Sequence, residues 1–165
     1  MILKGRAWKF GDNISTDHIT PGRYFHLRSN IQELAKHVME DADPDFMKKF
    51  KPGDFVVGGR NFGMGSSREH APLALKVAGV SAVLAKSFAR IFYRNAINVG
   101  LPVLIVDTDP IKSGDELEVD LSGGVVRDLT KKIELKAKPL PDIMIKILQA
   151  GGLIEFVKKY GTFEV

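Results

Sequence analysis

The sequence predicts an α/β fold in three layers, formed by a single domain over residues 1–165. Two patterns indicate this fold. In the middle of the chain, three short apolar runs alternate with helical segments, which is typical of βαβαβ units and a mostly parallel sheet. After them come three segments in which apolar and polar residues alternate, and these predict an antiparallel meander. The apolar runs are 55–58, 81–85 and 102–106, and the alternating segments are 116–121, 125–127 and 132–136.

The composition is typical of a soluble globular domain, with 44% apolar and 27% charged residues. The net charge of +4 would help to attract an anionic substrate, but it is smaller than nucleic-acid-binding domains usually carry. The absence of cysteine excludes disulfides, thiolate catalysis and an all-cysteine iron–sulfur cluster held by this chain alone. With no signal-peptide pattern and no apolar run long enough to span a bilayer, we expect a cytoplasmic protein with no membrane partner.

The N-terminal part of the chain combines a strand with a long connection. Residues 2–10 predict the first strand, which ends in a glycine turn. Residues 15–29 have neither a helical nor a strand period, so we expect a loop, and loops of this length are usually functional or disordered. The tip of this loop carries a basic cluster of Arg23, His26 and Arg28.

Helix signals are found on both sides of the central strands. Asn30, with Glu33 three residues later, predicts the N-terminal cap of a short helix. The pair Asp43 and Pro44 predicts a second helix start, because proline is favoured in the first helical turn. Further helices are expected at residues 67–77, 87–95, 143–149 and 153–159.

The segment 58–70, GGRNFGMGSSREH, joins a predicted strand to a predicted helix through four glycines. Glycines permit positive φ and a close approach of a ligand to the backbone, and a helix N-terminus favours an anion. Three known motifs are excluded. No lysine follows Gly63 or Gly65 as a Walker sequence needs, Arg68 replaces the third glycine of a dinucleotide fingerprint, and neither serine has the glycine of a hydrolase elbow.

Two serines and an arginine remain at this turn. Serine is a very weak acid, but backbone N–H groups and a guanidinium can supply the positive potential that ionises it. A serine alkoxide could then abstract a proton beside a carboxylate that Arg68 binds in bidentate fashion. The alternative is structural, because Ser66 and Glu69 also have the spacing of a capping box. The pattern alone leaves both interpretations open.

Three segments together point to a family. They are 15–20 (STDHIT), 63–70 (GMGSSREH) and 86–95 (KSFARIFYRN), in this order along the chain. They resemble the swivelling C-terminal domain of aconitase, and the chain resembles still more closely the free-standing small subunits of the isopropylmalate dehydratase and homoaconitase family. The match runs along the whole chain and includes the helix break at 150–153 (AGGL).

The resemblance implies a β/β/α swivelling-domain fold and a hydro-lyase that dehydrates and rehydrates a hydroxy-dicarboxylic or tricarboxylic acid. It implies a large-subunit partner, in a heterodimer or heterotetramer, that carries a [4Fe–4S] cluster, while this chain binds no cofactor. Carried over by position, Ser66 is the general base, and Ser67 and Arg68 bind the substrate carboxylate. Neither subunit is expected to catalyse the reaction alone.

Other residues are expected to support this site. By the same resemblance, Asp17 forms a hydrogen bond that holds the loop or an arginine, and its alternative role is an Asx turn or a helix cap. Gly63 and Gly65 shape the turn. His18 and His70 match no metal-ligand spacing, so we expect structural roles for them and no metal site on this chain.

The loop at residues 22–28 is expected to select the substrate, because family members differ there. An isopropyl group prefers apolar partners, which Tyr24, Phe25 and Leu27 could supply, whereas a third carboxylate prefers an arginine. Arg28 is near the position of a substrate-binding arginine in aconitase-like loops, although the loop arginines could also be solvated surface charges. We expect isopropylmalate as the substrate by analogy with free-standing small subunits, and homoaconitate is the alternative.

A nucleic-acid-binding module is a more distant alternative. Aromatic side chains that alternate with arginines could stack on bases and bind phosphates, but they are also ordinary in a buried helix. We expect the aromatic residues to lie in the core and no nucleic-acid partner. The residues concerned are Phe88, Arg90, Phe92, Tyr93 and Arg94.

Overall fold

The fold is described from a computed structural model, which covers residues 1–65 and 69–161. Seven strands in these residues form one mixed sheet with the order β4-β3-β2-β1-β5-β6-β7. The strands are β1 (Ile2–Lys9), β2 (Phe55–Val57), β3 (Ala82–Ala85), β4 (Val103–Ile105), β5 (Glu116–Asp120), β6 (Val125–Asp128) and β7 (Ile133–Lys136). Their positions and types agree with the prediction, including the parallel centre and the antiparallel meander.

Strand β1 joins the two halves of the sheet. Its first part, residues 2–6, pairs antiparallel with β5, and its last part, residues 7–9, pairs parallel with β2. Gly5 lies at this changeover, where a Cβ atom would come within 2.2 Å of the carbonyl oxygen of Gly53. Only glycine therefore allows the chain at residues 53–54 to pass so close to β1.

The sheet curls until its two ends meet. The amide of Lys138, just after β7, donates to the carbonyl of Ile105 in β4 at 3.0 Å, although these strands are last and first in the sheet order. The two halves and the helices confirm the predicted α/β architecture. The core contains large apolar side chains from the strands, the helices and the loops, among them Phe46, Phe55, Phe62, Phe156, Leu75, Leu84 and Leu104.

The α-helices are α1 (Thr16–Ile19), α2 (Ile31–Leu34), α3 (Phe46–Lys49), α4 (His70–Ala78), α5 (Arg90–Val99), α6 (Asp142–Ala150) and α7 (Leu153–Tyr160). The four longer helices each end at a glycine with positive φ, the conformation that closes a helix C-terminus at least cost. These are Gly79, Gly100, Gly151 and Gly161. None of the helices in the described part of the chain has the length and apolar character needed to cross a membrane.

Three sequence predictions need correction. The stretch 15–29 is not an aperiodic loop, because it contains α1 and a 3-10 helix at Gly22–Leu27, both too short to show a period. Helix α5 begins at Arg90 rather than at residue 87, and α4 begins at His70 rather than at residue 67. Residues 87–89 belong to the connection that follows β3, whereas residues 67 and 68 lie outside the described residues.

The aromatic residues of α5 lie in the core, as expected. Phe92 is buried and packs edge-to-face on Phe62, with ring centroids 5.4 Å apart. Phe88 and Tyr93 are partly buried against the same cluster. This packing agrees with the expectation that the aromatic residues belong to the core.

Candidate functional site

The first two family segments are hydrogen-bonded to each other beyond the carboxyl ends of β1 and β2. The amide of Gly63 donates to the carbonyl of Ile14 at 2.7 Å, and the amide of Thr16 donates to the carbonyl of Met64 at 2.9 Å. The parallel pairing of the two strands thus resumes after an irregular stretch. The carboxyl ends of parallel strands are where α/β proteins usually bind ligands.

The third segment joins the same row from β3. The amide of Phe62 donates to the carbonyl of Ser87 at 3.0 Å, and the amide of Ala89 donates to the carbonyl of Phe62 at 2.9 Å. The hydroxyl of Ser87 also accepts a hydrogen bond from the amide of Asn61 at 2.7 Å. The three segments that carry the family resemblance therefore meet at one edge of the sheet.

Two glycines give the turn its course. Gly63 has φ of 85°, and a Cβ atom on it would lie 2.2 Å from the ring of Phe92. Gly65 has φ of 102°, with a Cβ position 3.3 Å from the hydroxyl oxygen of Thr16. Both the left-handed conformation and the tight packing exclude a side chain at position 63, as the sequence predicts for a turn-shaping glycine.

The residues predicted to do the chemistry, Ser66, Ser67 and Arg68, lie outside the described residues. The next residue, Glu69, is at the N-cap of α4 and makes no capping hydrogen bond with its side chain. A capping box with Ser66 needs Glu69 three positions inside the helix. The capping-box interpretation also depends on Ser66, so it too lies outside the described residues.

Helix α1 explains the role of His18. The Ser15 hydroxyl accepts from the amide of His18 at 3.2 Å, and the His18 Nδ1 atom accepts from the amide of Ser15 at 2.9 Å. This reciprocal cap was not predicted, because its second partner is a histidine rather than Glu or Gln. The cap gives His18 a structural role. Ser15 rather than Asp17 is the N-cap residue of α1, and Asp17 is exposed in the first turn.

Two asparagines brace the glycine turn, and the sequence did not single them out. Asn13 and Asn61 both adopt positive φ, at 58° and 59°. The Asn61 side-chain amide donates to the Asn13 side-chain oxygen at 3.3 Å, while the Asn13 backbone amide donates to the carbonyl of Arg60 at 2.8 Å. Asparagine tolerates the left-handed region more readily than most residues. An Asn close to a glycine turn was therefore the sequence signal that could have predicted these two positions.

The loop arginine Arg23 is not a free cation. It forms ion pairs with Asp41 and with Glu40, the latter at 2.8 Å. Tyr24 donates to the same Glu40 carboxylate at 2.9 Å and stacks on His37 at a ring distance of 3.9 Å. Desolvation alone would raise the pKa of Glu40, but hydrogen bonds from these three neighbours outweigh it and lower this pKa to about 2. The positive charge of the predicted basic cluster is thus partly neutralised. Tyr24 contacts Glu40 and His37.

Phe25 and Arg28 form a pair at the other side of the loop. The Arg28 guanidinium lies 4.3 Å above the Phe25 ring and donates to the Phe25 carbonyl at 3.1 Å. The Phe25 side chain is 44% exposed, and its ring meets the edge of His70 at a centroid distance of 6.0 Å. Because His70 is the first residue of α4, this pair lies beside the end of the turn that carries the predicted catalytic residues.

In the part of the chain that the structure describes, no group of three or more His, Asp or Glu side chains could hold a metal ion.

Comparison with known proteins agrees with this geometry. Residues 12–108 match the model of the aconitase C-terminal domain. The chain is 76% identical to 3-isopropylmalate dehydratase small subunit 2 of Archaeoglobus fulgidus over 165 residues, which are 100% of both chains. It is 60% identical to small subunit 1 of the same enzyme from Thermotoga maritima, with 98% of each chain covered.

A solved structure extends the comparison to the fold. The crystal structure of 3-isopropylmalate dehydratase from Methanocaldococcus jannaschii superimposes with a TM-score of 0.93 at 50% sequence identity. The superposition covers 98% of this chain and 96% of that one. The family inferred from the three segments is confirmed. The chain belongs to the aconitase C-terminal domain family and, within it, to the small subunits of 3-isopropylmalate dehydratase.

Proposed function

We propose that this chain is the small subunit of a hydro-lyase that interconverts 2-isopropylmalate and 3-isopropylmalate by dehydration and rehydration, and that Ser66 is its general base. The observation that carries the proposal is the junction of the three family segments at the carboxyl ends of β1, β2 and β3. Leucine biosynthesis is the process in which this reaction takes part. The single domain over residues 1–165 and the cytoplasmic location stay predictions from the sequence.

The surroundings of the turn suit a serine base. Positions 66–68 lie between Gly65, where the backbone has positive φ, and the N-terminus of α4. The first amides of a helix have no partner within it, and with the helix dipole they stabilise an anion at this end. A neighbouring arginine adds a full positive charge. Together these groups favour the alkoxide of Ser66 and the substrate carboxylate that Ser67 and Arg68 are proposed to bind.

The large subunit is proposed to carry the [4Fe–4S] cluster. This chain has no cysteine, so it has no thiolates with which to hold one. When bound on the partner, the cluster supplies the Lewis acid that weakens the bond to the departing hydroxyl. The residues of this chain bind the carboxylate, remove the proton from the adjacent carbon and later return it.

The loop geometry favours the isopropyl group as the variable part of the substrate. Phe25 presents an exposed aromatic ring beside His70, whereas Arg28 is held against the ring and carbonyl of Phe25. Arg23 and Tyr24 are committed to Glu40. A third carboxylate would have to draw Arg28 away from these contacts, whereas the exposed Phe25 ring is apolar like the isopropyl group. A direct contact of Arg28 with the substrate stays a prediction.

The test is reconstitution with the cognate large subunit. The full chain alone should be inert, and activity should appear on mixing. Ser66→Ala should then lower kcat by about 10²- to 10⁴-fold, the usual effect of removing an acid–base group. Size-exclusion chromatography should show unchanged assembly, and Ser122→Ala, at an exposed serine beyond β5, is the matched control. A near-normal kcat for Ser66→Ala would refute the assignment of the base.

A further inference from the structure

A basic cavity lies on the seam where the curled sheet closes. Its volume is about 480 Å³, and it lies between the ends of β3 and β4 and the segment that follows β7. Its lining includes the cationic side chains of Arg60, Lys86, Lys136 and Lys138 and the carboxylate of Asp107. Four cations thus face one acid around a space large enough for a small ligand.

Backbone hydrogen bonds fix the segments that carry these cations. The amide of Lys86 donates to the carbonyl of Gly59 at 2.9 Å, which places Lys86 next to the position of Arg60. The amide of Lys138 donates to the carbonyl of Ile105 at 3.0 Å, which holds the segment after β7 against β4. The convergence of the four cations is therefore a property of the closed sheet rather than of a loose loop.

Two acids, Asp107 and Asp109, offset only part of this positive charge. Lys86 is paired with Asp109 at 2.7 Å and lies 4.0 Å from Asp107. Over the described ranges 1–65 and 69–161, the other three cations of the cavity form no ion pair; they are Arg60, Lys136 and Lys138. The charges left unpaired repel each other, and an anion that binds among them reduces this repulsion.

We propose that this seam cavity binds a small molecule with two anionic oxygen groups, carboxylate or phosphate. Lys136 and Lys138 are two positions apart at the end of a strand, a spacing of about 7 Å between Cα atoms. Arg60 comes from a different segment and offers planar bidentate donation. Two separate groups of cations match the two ends of such a dianion. The site uses neither Ser66 nor the large subunit and so goes beyond the proposed function.

The experiment titrates the full chain with pyrophosphate and, separately, with succinate at low ionic strength, by isothermal calorimetry and by NMR. Saturable binding of at least one probe is expected, and the tighter probe identifies phosphate or carboxylate as the preferred group. Lys136→Gln combined with Lys138→Gln should weaken binding by about tenfold. The control combines Lys48→Gln with Lys158→Gln, which removes the same charge from exposed lysines elsewhere.

Two results would overturn the proposal. One is the lack of saturable binding for both probes. The other is an equal loss of affinity in the two double variants, because binding would then depend on the net charge of the protein and not on the lysines of the cavity. Arg60→Gln provides a second test in case the lysine pair affects folding, and Tm values check each variant. Ser66→Ala should bind the probes normally, so this site and the proposed catalytic site can fail independently.

Discussion

In the parallel half of the sheet, formed by β1 to β4, backbone pairing continues past the strand ends into the glycine turn, where Gly63 packs against Phe92. In the antiparallel half, formed by β5 to β7, Lys131 pairs with two buried acids, Asp115 just before β5 and Asp128 at the end of β6. Backbone conformation thus determines the course of the chain at the strand ends of the parallel half, whereas ion pairs between charged side chains do so in the antiparallel half. The difference teaches that the proposed chemistry lies where the backbone is most constrained, whereas charged side chains connect the strands of the antiparallel half.

The acids of the antiparallel half have opposite pKa shifts. Asp115 and Asp128 are both buried, and Lys131 pairs with both. Desolvation opposes the charge of Asp115, but hydrogen bonds from Asp128, Lys131 and the amide of Lys112 lower the pKa of Asp115 to about 2. Burial and the neighbouring Asp115 raise the pKa of Asp128. The pair therefore holds one charge more readily than two.

The largest effect is expected for Gly63→Ala in the parallel half. A left-handed alanine costs about 1 kcal/mol, and forcing its methyl group against Phe92 adds about 2 kcal/mol. The loss should appear as a lower free energy of unfolding in urea.

The matched change in the antiparallel half is Gly114→Ala. Gly114 also has positive φ, at 91°, but nothing lies within 4 Å of its Cβ position. It should lose only about 1 kcal/mol. Equal losses in the free energy of unfolding for Gly63→Ala and Gly114→Ala would contradict the proposed difference between the two halves of the sheet.

A loss similar to that of Gly114→Ala is expected for Ser15→Ala, which removes the side-chain cap of α1. Losing an N-cap costs about 1 kcal/mol. Because the amide of Thr16 in α1 is hydrogen-bonded to Met64 in the turn, kcat of the reconstituted enzyme should fall as well. A fall in Tm with fully retained kcat would separate α1 from the site.

Asp128→Asn should produce a small gain in stability at neutral pH. A carboxyl group whose pKa is raised by folding stabilises the protein below its unfolded pKa, here 3.8, and this contribution is lost as the pH rises through the folded pKa. The charged form of Asp128 therefore opposes folding at pH 7. Asp115 behaves in the opposite way, and its contribution is lost only as pH falls towards about 2. The Tm advantage of the variant should therefore shrink below pH 4. An advantage that does not change with pH would contradict this account.

The smallest effect on stability, near zero, is expected for Arg28→Ala, because Arg28 is exposed. Its effect should lie in substrate choice. Turnover of homoaconitate should fall by about tenfold, on the scale of one lost charge-assisted hydrogen bond, while turnover of isopropylmalate should change little. Phe25→Ala should do the reverse. Equal losses on both substrates would make Arg28 structural.

The sequence by itself determined the strand order along the chain, the parallel centre, the meander and the family, because apolar periodicity, turn glycines and three motif segments are local properties. It also indicated Gly63 as a turn-shaping residue. It missed α1 and the Ser15–His18 cap, since four residues are too few to show a helical period. Predictions about Ser66, Ser67 and Arg68 still rest on the resemblance and on their flanking residues.

Only the tertiary structure decided which distant segments meet. Closure of the sheet at Ile105 and Lys138 gathers the seam cations, and pairing of Arg23 with Glu40 and Asp41 leaves Phe25 as the exposed apolar group of the loop. These are contacts between residues far apart in sequence, or between side chains whose direction no local pattern encodes. The free energy that selects them comes from packing and charge pairing in the folded chain.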